Sequence, residues 1–362
     1  MPAVQSRLTP AVFRLPVEKI REGHYSDQYF NLTRELLAAE DRHPRVLMQV
    51  FQKRDSILGG IDEAVAILKQ CAGRDGPDGW QQGWPQLIVH ALYEGDAIAP
   101  HETVLTIEGD YSLFAHLETV YLGCLARRTL VMRNVAAVVR AAAGKPILFF
   151  PARHDHWLVQ TGDGWAAHVA GAIGVSTDAQ ASWWGGRGIG TVPHGLIAAY
   201  GGDTVAAARA FARRYGDDMN ITVLVDFDND SVTTALDVAA ALGDRLWGVR
   251  LDTSEALIDR ALAAEADAEA QHGVTLLLAT RVREALDAAG HGHVRIVVSG
   301  GFDHEKIERF EALGAPVDAY GVGSSLLRGA NDFTADVVRV DGAAVAKTGR
   351  GERPNSRLTV VD

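Results

Sequence analysis

The chain has 362 residues, 47% of them hydrophobic and 22% charged, with a formal net charge of −11. This is the composition of an ordinary globular protein, long enough for two domains or for a barrel with a flanking domain. The acidic excess argues against general affinity for nucleic acid or anionic membranes. With no basic-then-apolar leader and no bilayer-length apolar run, the cytoplasm is the expected compartment.

Residues 30–42 and 59–72 have helical spacing and flank an apolar strand at 46–51. The stretch GRDGPDGWQQGWP at 73–85 reads as a turn or exposed loop. YEGDAIAPHETVLTIEGD then alternates, as strands of a small antiparallel sheet do. From 111 onward one or two long helices run until Gly144 and Pro146 close them. Cys71 and Cys124, without a CxxC or a nearby His, read as buried structural thiols.

ILFF at 147–150 opens a repeating region. ITVLV, WGVRL, VRIVV and VDAYGVG each end abruptly in polar residues or glycine. Helical stretches lie between them: TALDVAAAL, EALIDRALAAEADAEA and RVREALDAA. Strands joined by crossover helices are parallel. Past residue 330 the pattern is again alternating and hairpin-like, and it is expected to return to the first sheet. The expected organisation is an α/β sandwich domain over 1–145, an α/β barrel over 146–329, and returning strands over 330–362.

Parallel strands wrapped by helices carry their chemistry at the carboxyl ends, where the polar residues of this chain collect. Ser299, Gly300 and Gly301 follow one strand; Gly321, Gly323, Ser324 and Ser325 follow the next. Such clusters either grip a phosphate through backbone N–H groups and hydroxyls or serve only as turns. Arg250 and Asp252 face the same side of their strand. They suit a pyrophosphate and ribose hydroxyls, or form a structural ion pair at the barrel rim. His194 stands at a strand-to-helix junction, as a catalyst or as a satisfied structural imidazole. Arg153 beside Phe150 suits a flat anionic ring, by a forked hydrogen bond and stacking. His154 and His156 lie close by without a convincing set of metal ligands.

Seven segments in order, YSDQYF, FPARH, GVST, GTVPH, VRLDTS, VVSGGFD and YGVGSS, resemble the nicotinate phosphoribosyltransferase family. That family belongs to the type II phosphoribosyltransferases, with the nicotinamide and quinolinate enzymes. The resemblance implies an irregular, incomplete α/β barrel packed on an α/β sandwich formed by both chain ends. It implies joining of nicotinic acid to 5-phosphoribosyl 1-pyrophosphate, giving nicotinate mononucleotide and pyrophosphate in NAD biosynthesis. It also implies Mg²⁺, and ATP as co-substrate through a phosphorylated His194, with Asp226 and Asp228 orienting that His or holding magnesium. A homodimer with shared active sites is implied, Tyr29 of the Asp27-x-Tyr29 motif stacking on the pyridine in the partner's barrel and Phe150 from the opposite side.

The segment Val175-Ser176-Thr177 departs from the Thr-Ser-Asn often found in the family. A nicotinamide-specific relative is expected to carry Asp at the position of Ser176, so Ser176 and Thr177 favour a carboxylate, although Asp178 lies two residues on. A quinolinate enzyme would need more cationic groups and would not need His194. No zinc is expected, since the cysteine cluster of some members is missing. A non-catalytic nucleotide-binding paralogue and an unrelated barrel isomerase are the remaining alternatives.

Overall fold

A computed structural model describes residues 6–265, 267 and 271–362. The chain divides into two compact units, Met1–Arg133 with Gly329–Asp362, and Asn134–Arg328. The boundary falls inside the helix Glu118–Ala141, earlier than the 145/146 boundary drawn from the Gly144 turn and Pro146.

The first unit is built on a six-stranded antiparallel sheet. Its order is Ala343–Ala344, Thr334–Val340, Arg45–Phe51, Thr103–Asp110, Ile88–Ala91 and Thr359–Val360. The segment past residue 330 therefore returns to this sheet, as its alternation predicts. Val46, Met48, Val50, Leu105 and Ile107 form one core with Ile61, Val65 and Leu68 of the helix Ile61–Cys71. Asp62 and Glu63 in that helix's first turn and Lys69 in its last complement the helix dipole.

Two expectations are refined here. The turn read within residues 73–85 lies at Pro77–Asp78, but as the tip of a hairpin in which Gly73–Gly76 pairs with Gly79–Gln82. The long helix starts at Glu118 rather than 111, because Tyr111–Leu113 and Ala115–Leu117 are 3-10 turns. The Asp110 carboxylate accepts from the Ser112 N–H at 2.9 Å and fixes the first of them.

The second unit contains a six-stranded, wholly parallel sheet. Its order is Ile221–Leu224, Leu246–Leu251, Arg295–Val298, Ala319–Val322, Ile147–Phe149 and Gly174–Val175. Ile221–Leu224 and Ala319–Val322 are buried along their whole length, as parallel strands covered on both faces must be. A seventh, irregular segment joins the two edges. Ile189 N–H donates to Val175 O (2.8 Å), while Val192 N–H donates to Thr222 O (2.9 Å) and Val192 bridges Val223 in parallel. The barrel is thus closed by four residues rather than by full strands, the irregular and incomplete barrel expected.

The stretch EALIDRALAAEADAEA was expected to be a crossover helix. Its described residues hold a 3-10 turn at Arg260–Leu262 and an isolated bridge from Ile258 to His272; residues 266 and 268–270 lie outside the described residues. Buried Asp259 accepts from Ser231 N–H (3.0 Å), Ser231 hydroxyl (2.7 Å) and Ala261 N–H (3.0 Å). Those bonds tie the stretch to the start of the helix Ser231–Leu242 and override its helical period.

Candidate active site

The carboxyl ends of the parallel strands open into a cleft of about 610 Å³, lined wholly by residues of the second unit. Phe150, Arg153, Ser176, Thr177, His194, Arg250, Asp252, Ser299, Gly300, Gly301, Gly321, Gly323, Ser324 and Ser325 all line it. Fourteen of the expected site residues therefore meet in one place, although they are spread over 176 sequence positions.

The centre of the cleft is a closed polar network. Arg250 Nε donates to Ser299 Oγ at 2.7 Å, and Ser299 Oγ donates to Asp252 Oδ1 at 2.7 Å. The Arg250 guanidinium also lies 3.4 Å from Asp252 Oδ2. Arg250 and Asp252 form the ion pair that one reading expected, and both line the cleft. Phe150 covers the network, with the Arg250 guanidinium carbon 5.0 Å from its ring centre.

The glycines make room for these groups. A Cβ on Gly321 would stand 2.7 Å from Phe150 Cε2 and 3.2 Å from Ser299 Cβ. Gly300 and Gly301 both have left-handed backbones, φ 79° and 68°, which L side chains rarely adopt. The segment after Gly323 is a 3-10 turn, Ser324–Leu327, rather than an α-helix. Ser325 Oγ donates to Phe302 O at 2.8 Å, so its hydroxyl braces the neighbouring strand end.

His194 begins the helix His194–Ala199, with Pro193 in an extended conformation before it. Its Nε2 lies 3.0 Å from Asp226 Oδ1. The imidazole is 42% exposed and the carboxylate 6%. The Asp226 hydrogen bond raises the His194 pKa above 6.5, against the opposing effect of burial. Nδ1 has no hydrogen-bond partner among the described residues.

Arg153, in the 3-10 turn Ala152–His154, is exposed and makes no ion pair or side-chain hydrogen bond among the described residues. Ser176 and Thr177 line the same cleft with their hydroxyls already engaged. Ser176 Oγ donates to Gln180 Oε1 (3.1 Å) and Thr177 Oγ1 to Gln160 Oε1 (3.0 Å). Asp178 is turned elsewhere and accepts from Gly188 N–H at 2.8 Å.

Four expected residues do not line the cleft, and of these only Asp226 reaches it, through His194. Asp228 is exposed and does not line it, because it sits in the turn that Asn229 N–H closes on Asp226 O (3.0 Å), ahead of the helix that Asp230 caps. Among the described residues no group of three His, Cys, Asp or Glu side chains is placed to hold a metal ion. Asp27 and Tyr29 belong to the first unit. Asp27 accepts from Thr119 Oγ1 at 2.8 Å, and Tyr29 is 60% exposed.

Sequence reasoning passed over Arg328 and Asp303, which also line the cleft. Arg328 closes the Ser324–Leu327 turn and is exposed. A basic residue one short turn after paired serines was the available signal. Asp303 caps the helix His304–Ala312 through Lys306 N–H (3.0 Å). The cleft thus gathers Arg153, Arg250 and Arg328 in a chain of net charge −11, a local field suited to anions.

The family description "Quinolinate phosphoribosyl transferase, N-terminal domain" matches residues 27–129. The nicotinate phosphoribosyltransferase pncB1 of Mycobacterium tuberculosis is 33% identical over 263 residues, which are 70% of this chain and 54% of the relative. The chain thus spans about half the length of the curated relatives it matches. The crystal structure of nicotinate-nucleotide pyrophosphorylase from Pyrococcus furiosus is 31% identical with a TM-score of 0.79, covering 96% of this chain and 85% of that one. The human nicotinic acid phosphoribosyltransferase structure shares the fold, with a TM-score of 0.70 at 19% identity over 89% of this chain and 76% of that one.

Proposed function

The chain belongs to the type II phosphoribosyltransferases, and on that premise we propose that it is a nicotinate phosphoribosyltransferase of NAD biosynthesis, coupled to ATP hydrolysis. The observation that carries this reading is the Arg250–Ser299–Asp252 network beneath Phe150, set between glycine-rich strand ends and unpaired Arg153.

In this reading Arg153 takes the pyridine carboxylate and Phe150 stacks on the ring. The pyridine nitrogen forms the bond to the ribose C1 as the bond from C1 to pyrophosphate oxygen breaks, and pyrophosphate leaves with the electron pair. Positive charge builds on the ribose, and Asp252 faces it while ordering the hydroxyls. Arg250 and Arg328 hold the leaving anion, and the backbone at Ser299–Gly301 and Gly323–Ser325 holds the 5-phosphate. The residues fit magnesium as a cation carried in by the substrate's phosphates. Asp252 is the cleft carboxylate beside the proposed ribose site that would hold it, while Asp303 in the same lining caps a helix, and such an ion keeps most of its waters. When bound it would neutralise the leaving group.

His194 is the proposed phosphoryl acceptor. Asp226 holds Nε2, so Nδ1 is the nitrogen free to attack the γ-phosphorus of ATP, with ADP as leaving group. A homodimer completes the site, with Tyr29 offered to the partner's cleft. Tyr25, Tyr29, Leu32 and Leu36, exposed by 49–61% at helical spacing, support such a contact. No helix among the described residues is long and apolar enough to cross a membrane.

The deciding assay measures mononucleotide formation from nicotinate, nicotinamide and quinolinate, each with and without ATP. ATP-stimulated product from nicotinate is expected. Product from quinolinate alone would replace this reading with the decarboxylating one.

A further inference from the structure

The hydrogen-bond polarity of the wall beside Arg153 follows from two buried contacts. Gln180 is 1% exposed, and its Oε1 meets Ser176 N–H (3.0 Å), Thr177 N–H (3.2 Å) and the Ser176 hydroxyl (3.1 Å). Backbone N–H groups can only donate, so the amide atom they meet is oxygen. An amide oxygen can only accept, so the Ser176 hydroxyl proton points at Gln180 and away from the cleft.

The same logic fixes Thr177. Gln160 Nε2 donates to Ala152 O at 3.2 Å, and a backbone carbonyl can only accept. The other end of that amide is therefore oxygen, and Thr177 Oγ1 donates to it at 3.0 Å. Thr177 Oγ1 also accepts from Gln180 N–H at 3.1 Å, completing the capping box of the helix Asp178–Ala181. Gln160 thus ties Thr177 to Ala152, the neighbour of Arg153. Both hydroxyls have spent their only proton, and lone pairs are what they have left to offer a ligand.

A carboxylate needs donors on both oxygens, whereas a primary carboxamide needs one donor and one acceptor. Arg153 supplies donors and the Ser176–Thr177 wall supplies acceptors, so the two hydroxyls do not favour the carboxylate as their sequence suggests, because their protons are donated to Gln180 and Gln160. Resting on the transferase reading above, we infer that Gln180 and Gln160 are specificity-determining positioning residues. They make the wall acceptor-only, leave recognition of the acid to Arg153, and let the cleft take the corresponding pyridine carboxamide as a second substrate.

The test compares kcat/KM for nicotinate and nicotinamide in the wild type, Ser176→Ala, Gln180→Leu and Gln180→Glu. Wild type is expected to turn over both. Ser176→Ala removes one acceptor, and the preference for nicotinate should rise about fivefold, the worth of one neutral hydrogen bond. Gln180→Leu frees the serine proton and should move the preference the same way. Gln180→Glu keeps an accepting oxygen and should restore the wild-type ratio even if its melting temperature changes. A preference for nicotinate that falls or stays constant in Ser176→Ala would overturn the inference, whether or not the Gln180 variants fold. Turnover of neither pyridine by the wild type would instead remove the transferase reading. Calorimetric binding of the two pyridines then decides the polarity: nicotinamide bound no more weakly by Ser176→Ala than by wild type would sink it.

Discussion

Asp226 Oδ1 lies 3.0 Å from His194 Nε2, and the carboxylate is the buried member of the pair. The hydrogen bond favours the imidazolium, so the His194 pKa is raised above its usual 6.5. Phosphoryl transfer to Nδ1 needs the neutral ring, and the rate of His phosphorylation should therefore climb as pH rises through the elevated pKa. Asp226→Asn should move that rise to lower pH, read by labelling with γ-³²P ATP across pH. The pair's stabilising effect has the opposite slope: it is full below the unfolded pKa and fades as pH rises through the folded one. His194→Ala should abolish ATP hydrolysis while slow, ATP-independent mononucleotide synthesis survives.

Arg153 has no partner among the described residues and lines the cleft, so its fork is available to a planar acid. Arg153→Lys should raise the nicotinate KM about tenfold or more, the loss of one charge-assisted bond, with a smaller change in kcat. Steady-state kinetics at saturating phosphoribosyl pyrophosphate decides this, and an unchanged KM removes Arg153 from the site.

Gly321 is present because Phe150 occupies the space its side chain would take. Gly321→Ala forces the ring or Ser299 to move, at a cost of about 1–3 kcal/mol for overpacking. Chemical denaturation should record that loss, and the nicotinate KM should rise with it. A variant as stable and as active as wild type would show that Phe150 has somewhere else to go.

Tyr29 and Asp252 belong to different compact units of the chain. If the site is shared between copies, mixing an inactive Tyr29→Ala chain with an inactive Asp252→Ala chain should restore part of the activity. One site of each hybrid dimer is then whole. Verified heterodimers without recovery would mean that each chain builds its own site.

Glu118, at the start of its helix, has its pKa pushed up to about 8 by burial and by the nearby carboxylates of Asp336 and Asp27. A raised carboxyl pKa means that the folded chain holds a proton the unfolded chain has released, between about 4.5 and 8. Its contribution to stability is full below the unfolded pKa and is lost as pH rises through the folded one. Glu118→Gln should remove this slope, so the variant should gain melting temperature relative to wild type as pH goes from 5 to 9. Equal pH profiles would place Glu118 in contact with water.

The strand ends were legible because each announces itself locally: a short apolar run, then Gly, Ser, Asp or Arg. That pattern located Arg250, Asp252, Ser299, Gly321 and His194 without any knowledge of the fold. Other features have no local signature. Gln180 stands among alanines in an unremarkable helical stretch, and its meaning comes from two backbone N–H groups that reach it only after the chain folds. The segment around Asp259 fails in the opposite way. Its helical period is real, but a buried carboxylate bound to Ser231 outweighs it. Asp228 sits two residues from Asp226 and looks equivalent in sequence, yet it lies inside the turn that Asn229 N–H closes on Asp226 O at 3.0 Å, while Asp226 stands before it.

The strand order of the parallel sheet has an evolutionary consequence. The proposed phosphoribosyl grip rises from its three middle strands, Leu246–Leu251, Arg295–Val298 and Ala319–Val322. The residues proposed to read the pyridine follow Ile147–Phe149 and Gly174–Val175 at one margin, and the His194–Asp226 couple follows Val192 and Ile221–Leu224 at the other. In the proposed reading the donor is held by strands flanked on both sides; the ring acid is read beside Ile147–Phe149, the last strand so flanked, and the edge strand Gly174–Val175, and the energy source at the opposite edge next to the four-residue seam. On the proposed reading, substitutions at the margins would change which base is used, or dispense with ATP, and leave the grip in place. A lineage built this way diversifies by exchanging its edges.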